Sequence, residues 1–405
     1  MPAAFARHWT LDPHVTFLNH GSFGATPIPV LETQTMWRAR MEHEPVAFFA
    51  RDLEPAADNV RRVLGDFIGA DPEERALVPN ATAGINTVVR SLDLEPGDEL
   101  LTTDHAYNAA RTTLEAAAAR TGARVRIASL PFPGTTPEMA RQRLLGEVSQ
   151  RTRLVLLDHV TSTTALVLPA RDIVAELRER GIETLIDGAH APGMLDVNVE
   201  AIGATYYAGN CHKWLCAPKG SGFLHVSRNR QSSVRPLAVS HGANSLRRDR
   251  SRFRLEHDWT GTGDPSAYLS IPAAIEFGAG LVEGGWPALM ARNRDVALRG
   301  RQLLGAALAV EAPAPDSMIG SMASMPLPFE PAGAPLPDPS GHDALHAWLE
   351  DHEGIQVMFA PWPQRPGDGE PWRRVVRISA APYVAVEDLE HLTRALRTAL
   401  ATLAD

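Results

Sequence analysis

Cysteine is nearly absent from this 405-residue chain, which has only Cys211 and Cys216. Two such residues provide no disulfide framework, and no further Cys-x-x-Cys-type pair completes a zinc site. Long apolar runs are missing too. No stretch of roughly 18 uncharged apolar residues appears, so no membrane-spanning segment is expected. Positive charge is in the minority: 39 Lys and Arg against 48 Asp and Glu give a formal net charge of −9. That balance argues against nucleic acid or an anionic membrane as partner. The basic cluster Arg247, Arg248, Arg250, Arg252 and Arg254 reads as a solvated loop or a subunit contact. The opening Met-Pro-Ala-Ala-Phe-Ala-Arg-His-Trp lacks the basic start and apolar core of a signal peptide, so a cytoplasmic location is expected.

What is present suits a large domain plus a small one, since this length exceeds one ordinary core. Short apolar runs alternate with amphipathic stretches. Strands are expected at Leu100–Thr103, Arg124–Leu130, Leu154–Leu157 and Thr184–Ile186, with helices near Ala109–Arg120 and Arg171–Arg180. Such alternation predicts an α/β fold with a mostly parallel sheet covered by helices on both faces. Ligands of such sheets gather at the carboxyl ends of the strands. From about Ile275 the helices lengthen, and the chain closes with Val375–Ser379 and a helix over Val386–Leu403. This pattern divides the chain into an N-terminal segment (1–20) packing with the small domain, a large domain (21–274) and a smaller C-terminal α+β domain (275–405). The Pro-, Ala- and Gly-rich stretch Ala312–Pro339 reads as an irregular connection with a short strand around Ser324–Leu327.

Three local features carry chemistry together. Asp187 ends the apolar run Thr184-Leu-Ile and precedes Gly-Ala-His190; alone, a strand-end Asp usually caps the next helix. Lys213 stands in Asn210-Cys-His212-Lys213-Trp214, 26 residues later, ahead of Gly220-Ser-Gly222 and an apolar strand. Alone, it would pass for a surface lysine beside a buried Trp. Asn80-Ala-Thr82-Ala-Gly84 opens a helix-like run, where backbone N–H groups can hold a phosphate, although Asn-Ala-Thr is also ordinary capping sequence. Pyridoxal 5'-phosphate (PLP) requires all three: an amine for its aldehyde, an anion beside its pyridine nitrogen, and a phosphate cradle.

The ordered set Asp187-Gly-Ala-His190 and Asn210-Cys-His212-Lys213-Trp214 resembles the class V aminotransferase group of fold-type-I PLP enzymes, and within it the isopenicillin N epimerase-like branch. Phe17-Leu-Asn-His-Gly-Ser-Phe-Gly24, Glu44-Pro-Val-Ala-Phe-Phe49, Thr103-Asp-His-Ala-Tyr-Asn108 and Arg377-Ile-Ser extend the likeness over most of the chain. The resemblance implies Lys213 as the Schiff-base lysine, Asp187 as partner of the pyridine nitrogen and His190 beside the phenolic oxygen. It implies Thr82, the Ala81 backbone, His212 and Asn210 at the phosphate, and Tyr107 over the ring with His105 as runner-up. Thr262, between Gly261 and Gly263, is expected to reach the phosphate of a neighbouring subunit in a homodimer. Arg377 is the expected carboxylate clamp, with Asn19, His20 and Gly21 near the substrate.

The implied activity is proton removal at Cα of an amino acid, followed by epimerisation or C–S bond cleavage on a cysteine-related or peptide-like substrate. Transamination is the alternative, and a non-catalytic PLP-fold binding protein is the reading from another class. No cysteine lies between Ile355 and Val376, so a persulfide-forming desulfurase is not expected. His342 and His346 have a spacing that can bind zinc but lack a third ligand, so no metal is expected. Cys211 is expected to be a small buried hydrophobe. Tyr107 and His20 are the candidates for a second proton donor.

Overall fold

The protein is described by a computed structural model covering residues 5–330, 343–365 and 372–404. His342 lies outside these residues. In chain order the strands are β1 (Thr16–Phe17), β2 (Arg75–Val78), β3 (Glu99–Thr103), β4 (Arg124–Ala128), β5 (Thr152–Asp158) and β6 (Glu183–Gly188). They continue with β7 (Tyr206–Asn210), β8 (Gly222–Val226), β9 (Met322–Pro326), β10 (Ile355–Gln356), β11 (Met358–Trp362) and β12 (Arg373–Ser379).

β2 to β8 form one seven-stranded sheet in the order β2-β8-β7-β6-β5-β3-β4. Only β8 runs against its neighbours, being antiparallel to both β2 and β7. The strands are apolar on both faces because both are covered. Leu154 and Leu156 point into a core with Ile85, Val88 and Leu114, from helices Ala81–Arg90 and Asn108–Thr121. Val155 and Leu157 point the other way, into a core with Leu64, Ile68, Ile173 and Leu177, from helices Leu53–Ile68 and Ala170–Glu179. The period of two along β5 thus feeds two opposite cores.

The C-terminal unit is smaller. Its antiparallel sheet β11-β12-β9 packs Met325, Val376 and Ile378 against Leu304, Leu349 and Leu392. Those three leucines come from helices Gly285–Leu308, Ala344–Glu353 and Val386–Thr402. β1 pairs in parallel with β10, Thr16 opposite Ile355, and Trp9 and Leu18 join the same core. The α/β architecture with a small α+β unit is therefore the one expected.

One expectation needs correction. Arg250 and Arg254 do not decorate a solvated loop. Arg254 is 1% exposed and donates to Glu73, Asp58 and Asp258, while Arg250 donates to both oxygens of Asp58. Of the carboxylates that neutralise the cluster, Asp58 lies almost two hundred residues away in the chain, out of sight of local reading, while Asp258 is four residues past Arg254.

Candidate active site

Lys213 follows β7, at the carboxyl end of the parallel strands. Its Nζ stands 3.1 Å from His190 Nε2, and Trp214 Nε1 donates to His190 Nδ1 at 3.3 Å. An indole nitrogen can only donate, so Nδ1 accepts and the neutral ring carries its proton on Nε2. That proton faces Nζ, and only an uncharged amine can accept it. Electrostatics agrees with this geometry. Burial, helped by the Arg377 charge and opposed by Asp187, brings Lys213 down to about 7. Burial also holds His190 well below the usual histidine range, so its ring stays neutral. The lowered pKa makes the uncharged amine of Lys213 accessible around neutral pH.

The lysine's backbone is gripped from the opposite side. His20 Nε2 donates to the Lys213 carbonyl at 2.9 Å, while its Nδ1 meets the Tyr383 hydroxyl at 2.7 Å and the Ala25 N–H at 3.3 Å. Both ring nitrogens are thereby occupied, so His20 braces the lysine's main chain and is not the free proton donor considered from sequence. Gly24 passes so close that a Cβ there would lie 2.4 Å from the His212 carbonyl oxygen.

Asp187 lies near the end of β6, 4% exposed, accepting from the Ala189 N–H at 3.0 Å. Burial raises its pKa, opposed first by the Ala189 N–H bond and then by Lys213 when that amine is protonated. Asp158, at the end of β5, is its register partner.

Helix Ala81–Arg90 points its N-terminus at the same sheet edge. Asn80 caps it by accepting from Ala83 N–H at 2.8 Å, and Asn210, ending β7, accepts from Ala81 N–H at 2.8 Å. The Ala81 N–H expected at a phosphate is therefore engaged, and Asn210 acts here as a second cap. The N–H of Thr82 is left without a protein partner among the described residues. His212 donates through Nδ1 to the Ser221 carbonyl at 2.9 Å, leaving Nε2 free. Gly84 lets this helix approach β7, since a Cβ there would meet that of Ala208 at 3.0 Å.

Arg377, on β12, reaches the site from the small unit. It is 1% exposed, and burial lowers it to about 10. Its Nη1 donates to the Ser162 carbonyl at 2.8 Å. Its Nη2 donates to Ser22 Oγ at 2.8 Å and to Asn19 Oδ1 at 3.1 Å. Nε has no partner, and among the described residues no carboxylate pairs with the guanidinium. A buried guanidinium without a counter-charge is costly, and it fits a site that receives an anion. Gly21 lies against it: a Cβ would stand 3.3 Å from Nη2.

The two ring candidates separate clearly. His105 is fully buried, bonded to Thr164 Oγ1 at 2.6 Å and the Leu130 carbonyl at 3.0 Å, with its ring 4.2 Å from that of Trp362. Tyr107 is 44% exposed, its side chain is within electrostatic range of Arg377, and its N–H donates to Asp158 at 3.3 Å. Thr262 is not gathered with the others: it sits on an exposed loop between Gly261 and Gly263. Ser22, Ser162 and Asp158 went unnamed in the sequence reading. Asp158 ends the apolar run Leu154–Leu157 just as Asp187 ends its own, so the signal was there. Ser22 lies inside the quoted Asn19–Gly24 motif, whereas nothing local marks Ser162.

Amine, carboxylate, open helix N-terminus and unpaired guanidinium are the groups that PLP and an amino acid require, so the residues present fit that cofactor. The aminotransferase class-V family model matches residues 33–281. Isopenicillin N epimerase of Streptomyces clavuligerus is 36% identical over 95% of this chain and 95% of its own. A probable chloroplastic L-cysteine desulfhydrase of Arabidopsis thaliana is 30% identical over 97% of this chain and 84% of its own. Among solved structures, a cysteine desulfurase from Thermococcus onnurineus superposes with a TM-score of 0.80 at 19% identity, covering 100% of this chain and 99% of that one. With the family model and full-length relatives in agreement, the chain belongs to the class-V aminotransferase family.

Proposed function

We propose that this chain is a PLP-dependent enzyme acting at Cα of an amino acid, with epimerisation or C–S bond cleavage as the outcome. The observation that carries the reading is a buried lysine, Lys213, bonded to His190, in one site with a buried guanidinium, Arg377, that meets no carboxylate among the described residues. Relatives named as epimerase and as desulfhydrase support the two outcomes. Bound there, PLP supplies an aldehyde for Lys213 and an electron-withdrawing ring that accepts the pair left at Cα. Asp187 holds a proton on the pyridine nitrogen. Thr82 and His212 Nε2 would hold the phosphate, and His190 would stand beside the phenolic oxygen. Arg377, with Asn19, Ser22 and Ser162 around it, fixes the substrate carboxylate. Lys213 would take the Cα proton as general base, a role its lowered pKa suits. Tyr107 covers the ring.

The working form is proposed to be a cytoplasmic homodimer, with Thr262 serving the partner's site. The domain limits at 20/21 and 274/275 are part of the same proposal. Among the described residues no helix is long and apolar enough to cross a membrane.

The test is incubation of candidate amino acids, cysteine and cysteine-containing peptides among them, in D2O. Deuterium at Cα with inversion and no other product assigns epimerisation; pyruvate, ammonia and sulfide assign C–S cleavage. A keto acid formed with pyridoxamine phosphate would move the assignment to transamination. A wild-type chain that stays colourless after PLP addition would sink the whole reading.

A further inference from the structure

Asp158 is a buried carboxyl group that the chemistry above does not use. It ends β5 directly across from Asp187 on β6, in register on parallel strands, and the two are 2% and 4% exposed. Side chains of register partners lie on one face of a sheet, so the two acids are neighbours in a dry site. Two such carboxylates cannot both be charged.

The surroundings say which one keeps the proton. Asp187 accepts the Ala189 N–H at 3.0 Å, and Lys213, when protonated, lies within electrostatic range of it. Asp158 has a single longer contact outside its own residue, from the Tyr107 N–H to Oδ1 at 3.3 Å, and its Oδ2 bonds to nothing among the described residues. Burial, and after it the charge of Asp187, drives Asp158 well above the carboxylate range. Tyr207 is affected by Asp187 as well, and His159, next in the chain, is turned to the Tyr207 hydroxyl at 2.9 Å. Among the described residues no cation pairs with Asp158.

We propose that Asp158 is the neutral, proton-bearing member of an acid pair with Asp187, and a positioning residue that ties the Tyr107 segment to the strand ends. A neutral neighbour leaves Asp187 free to be the one negative charge of the pair. The Tyr107 N–H held on Oδ1 fixes where that ring can stand. The pairing itself is independent of the cofactor; the positioning role rests on the PLP reading.

Two variants of the full chain test it. Asp158→Asn keeps the acceptor and shape without the ionisation, while Asp158→Leu removes the acceptor. An acid whose folded pKa is raised binds more protons native than unfolded, so its contribution to stability falls as pH rises above about 4. Removing that ionisation with Asn should raise the thermal midpoint of the PLP-free chain by several degrees at pH 8, with the gain shrinking toward pH 5. PLP titration followed by the visible band should give Asp158→Asn a dissociation constant within about threefold of wild type. Asp158→Leu should bind PLP tenfold or more weakly, with the band displaced. An unchanged or lowered midpoint for Asn at pH 8 overturns the acid pair. Equal PLP binding by Asn and Leu overturns the positioning role, and if Leu does not fold, a tenfold or greater loss in Asn does the same. A wild-type chain that shows no band defeats the PLP reading and leaves the thermal comparison standing.

Discussion

The proton between His190 and Lys213 has one place to be only while Trp214 donates to His190 Nδ1. Trp214→Phe removes that donor and lets the ring change tautomer, so that Nε2 can accept from a charged ammonium. Lys213 should then titrate about one unit higher, the equivalent of roughly 1.4 kcal/mol. Because the neutral amine is what attacks an aldehyde, the rate of PLP capture should rise with pH through the lysine pKa. We expect a midpoint near 7 in the wild type and near 8 in Trp214→Phe, read by stopped-flow absorbance; equal midpoints would dismiss the tautomer argument. Arg377 makes the opposite kind of prediction, in which function and stability separate. Arg377→Met removes two charge-assisted contacts to substrate, worth about 1.5–3 kcal/mol each, so KM should rise at least a hundredfold. It also removes a buried charge that no carboxylate among the described residues offsets, so the thermal midpoint of the ligand-free chain should hold or rise. A midpoint several degrees lower would mean that the Ser22, Ser162 and Asn19 bonds already satisfy the guanidinium.

At the level of elements, the cradle is a helix held against a strand end. Asn210 closes it by accepting the Ala81 N–H, a bond spanning 129 residues of sequence. Asn210→Ala should leave that N–H unpaired and weaken PLP binding about fivefold, as the loss of a cap of about 1 kcal/mol implies, measured by titration of the visible band. Affinity unchanged would show the helix to be set by Asn80 and Gly84 alone. The example also shows what could be read from the chain and what could not. The placing of Asp187 at a strand end and Thr82 at a helix start was legible because those junctions show in local hydrophobic pattern, whereas the roles of these residues and of Lys213 rest on the family resemblance. The parallel sheet was legible for the same reason, through runs such as Leu154–Leu157. Who bonds whom was not. That Asn210 caps a helix, that His20 braces the Lys213 carbonyl, and that Ser162 serves Arg377 are all long-range contacts with no local periodicity. The reversal of β8 was equally hidden, since an apolar strand carries no mark of its direction.

For the whole molecule the open question is which site Thr262 serves. Its loop carries a glycine on either side, with Gly261 at φ +128°, a conformation that side-chain-bearing residues rarely adopt. Gly261 and Gly263 line a cavity of about 360 Å3 with Val78, Pro79 and Gly220, near the segment that leads into the phosphate cradle. If the hydroxyl serves the partner's phosphate, two crippled chains can repair each other. A Lys213→Ala chain has no working site of its own but lends a normal Thr262. A Thr262→Val chain keeps Lys213 but deprives its partner. When the two are mixed and allowed to exchange, the hybrid has one site with both lesions and one with neither. Activity should therefore climb above the average of the parents, toward half of the wild type per hybrid dimer, and PLP affinity should become biphasic. Were Thr262 to serve its own chain, every hybrid site would carry one lesion or the other, and mixing would return only the parental average. The same titration reports the assembly, because recovery that depends on subunit exchange requires an oligomer in which chains share sites.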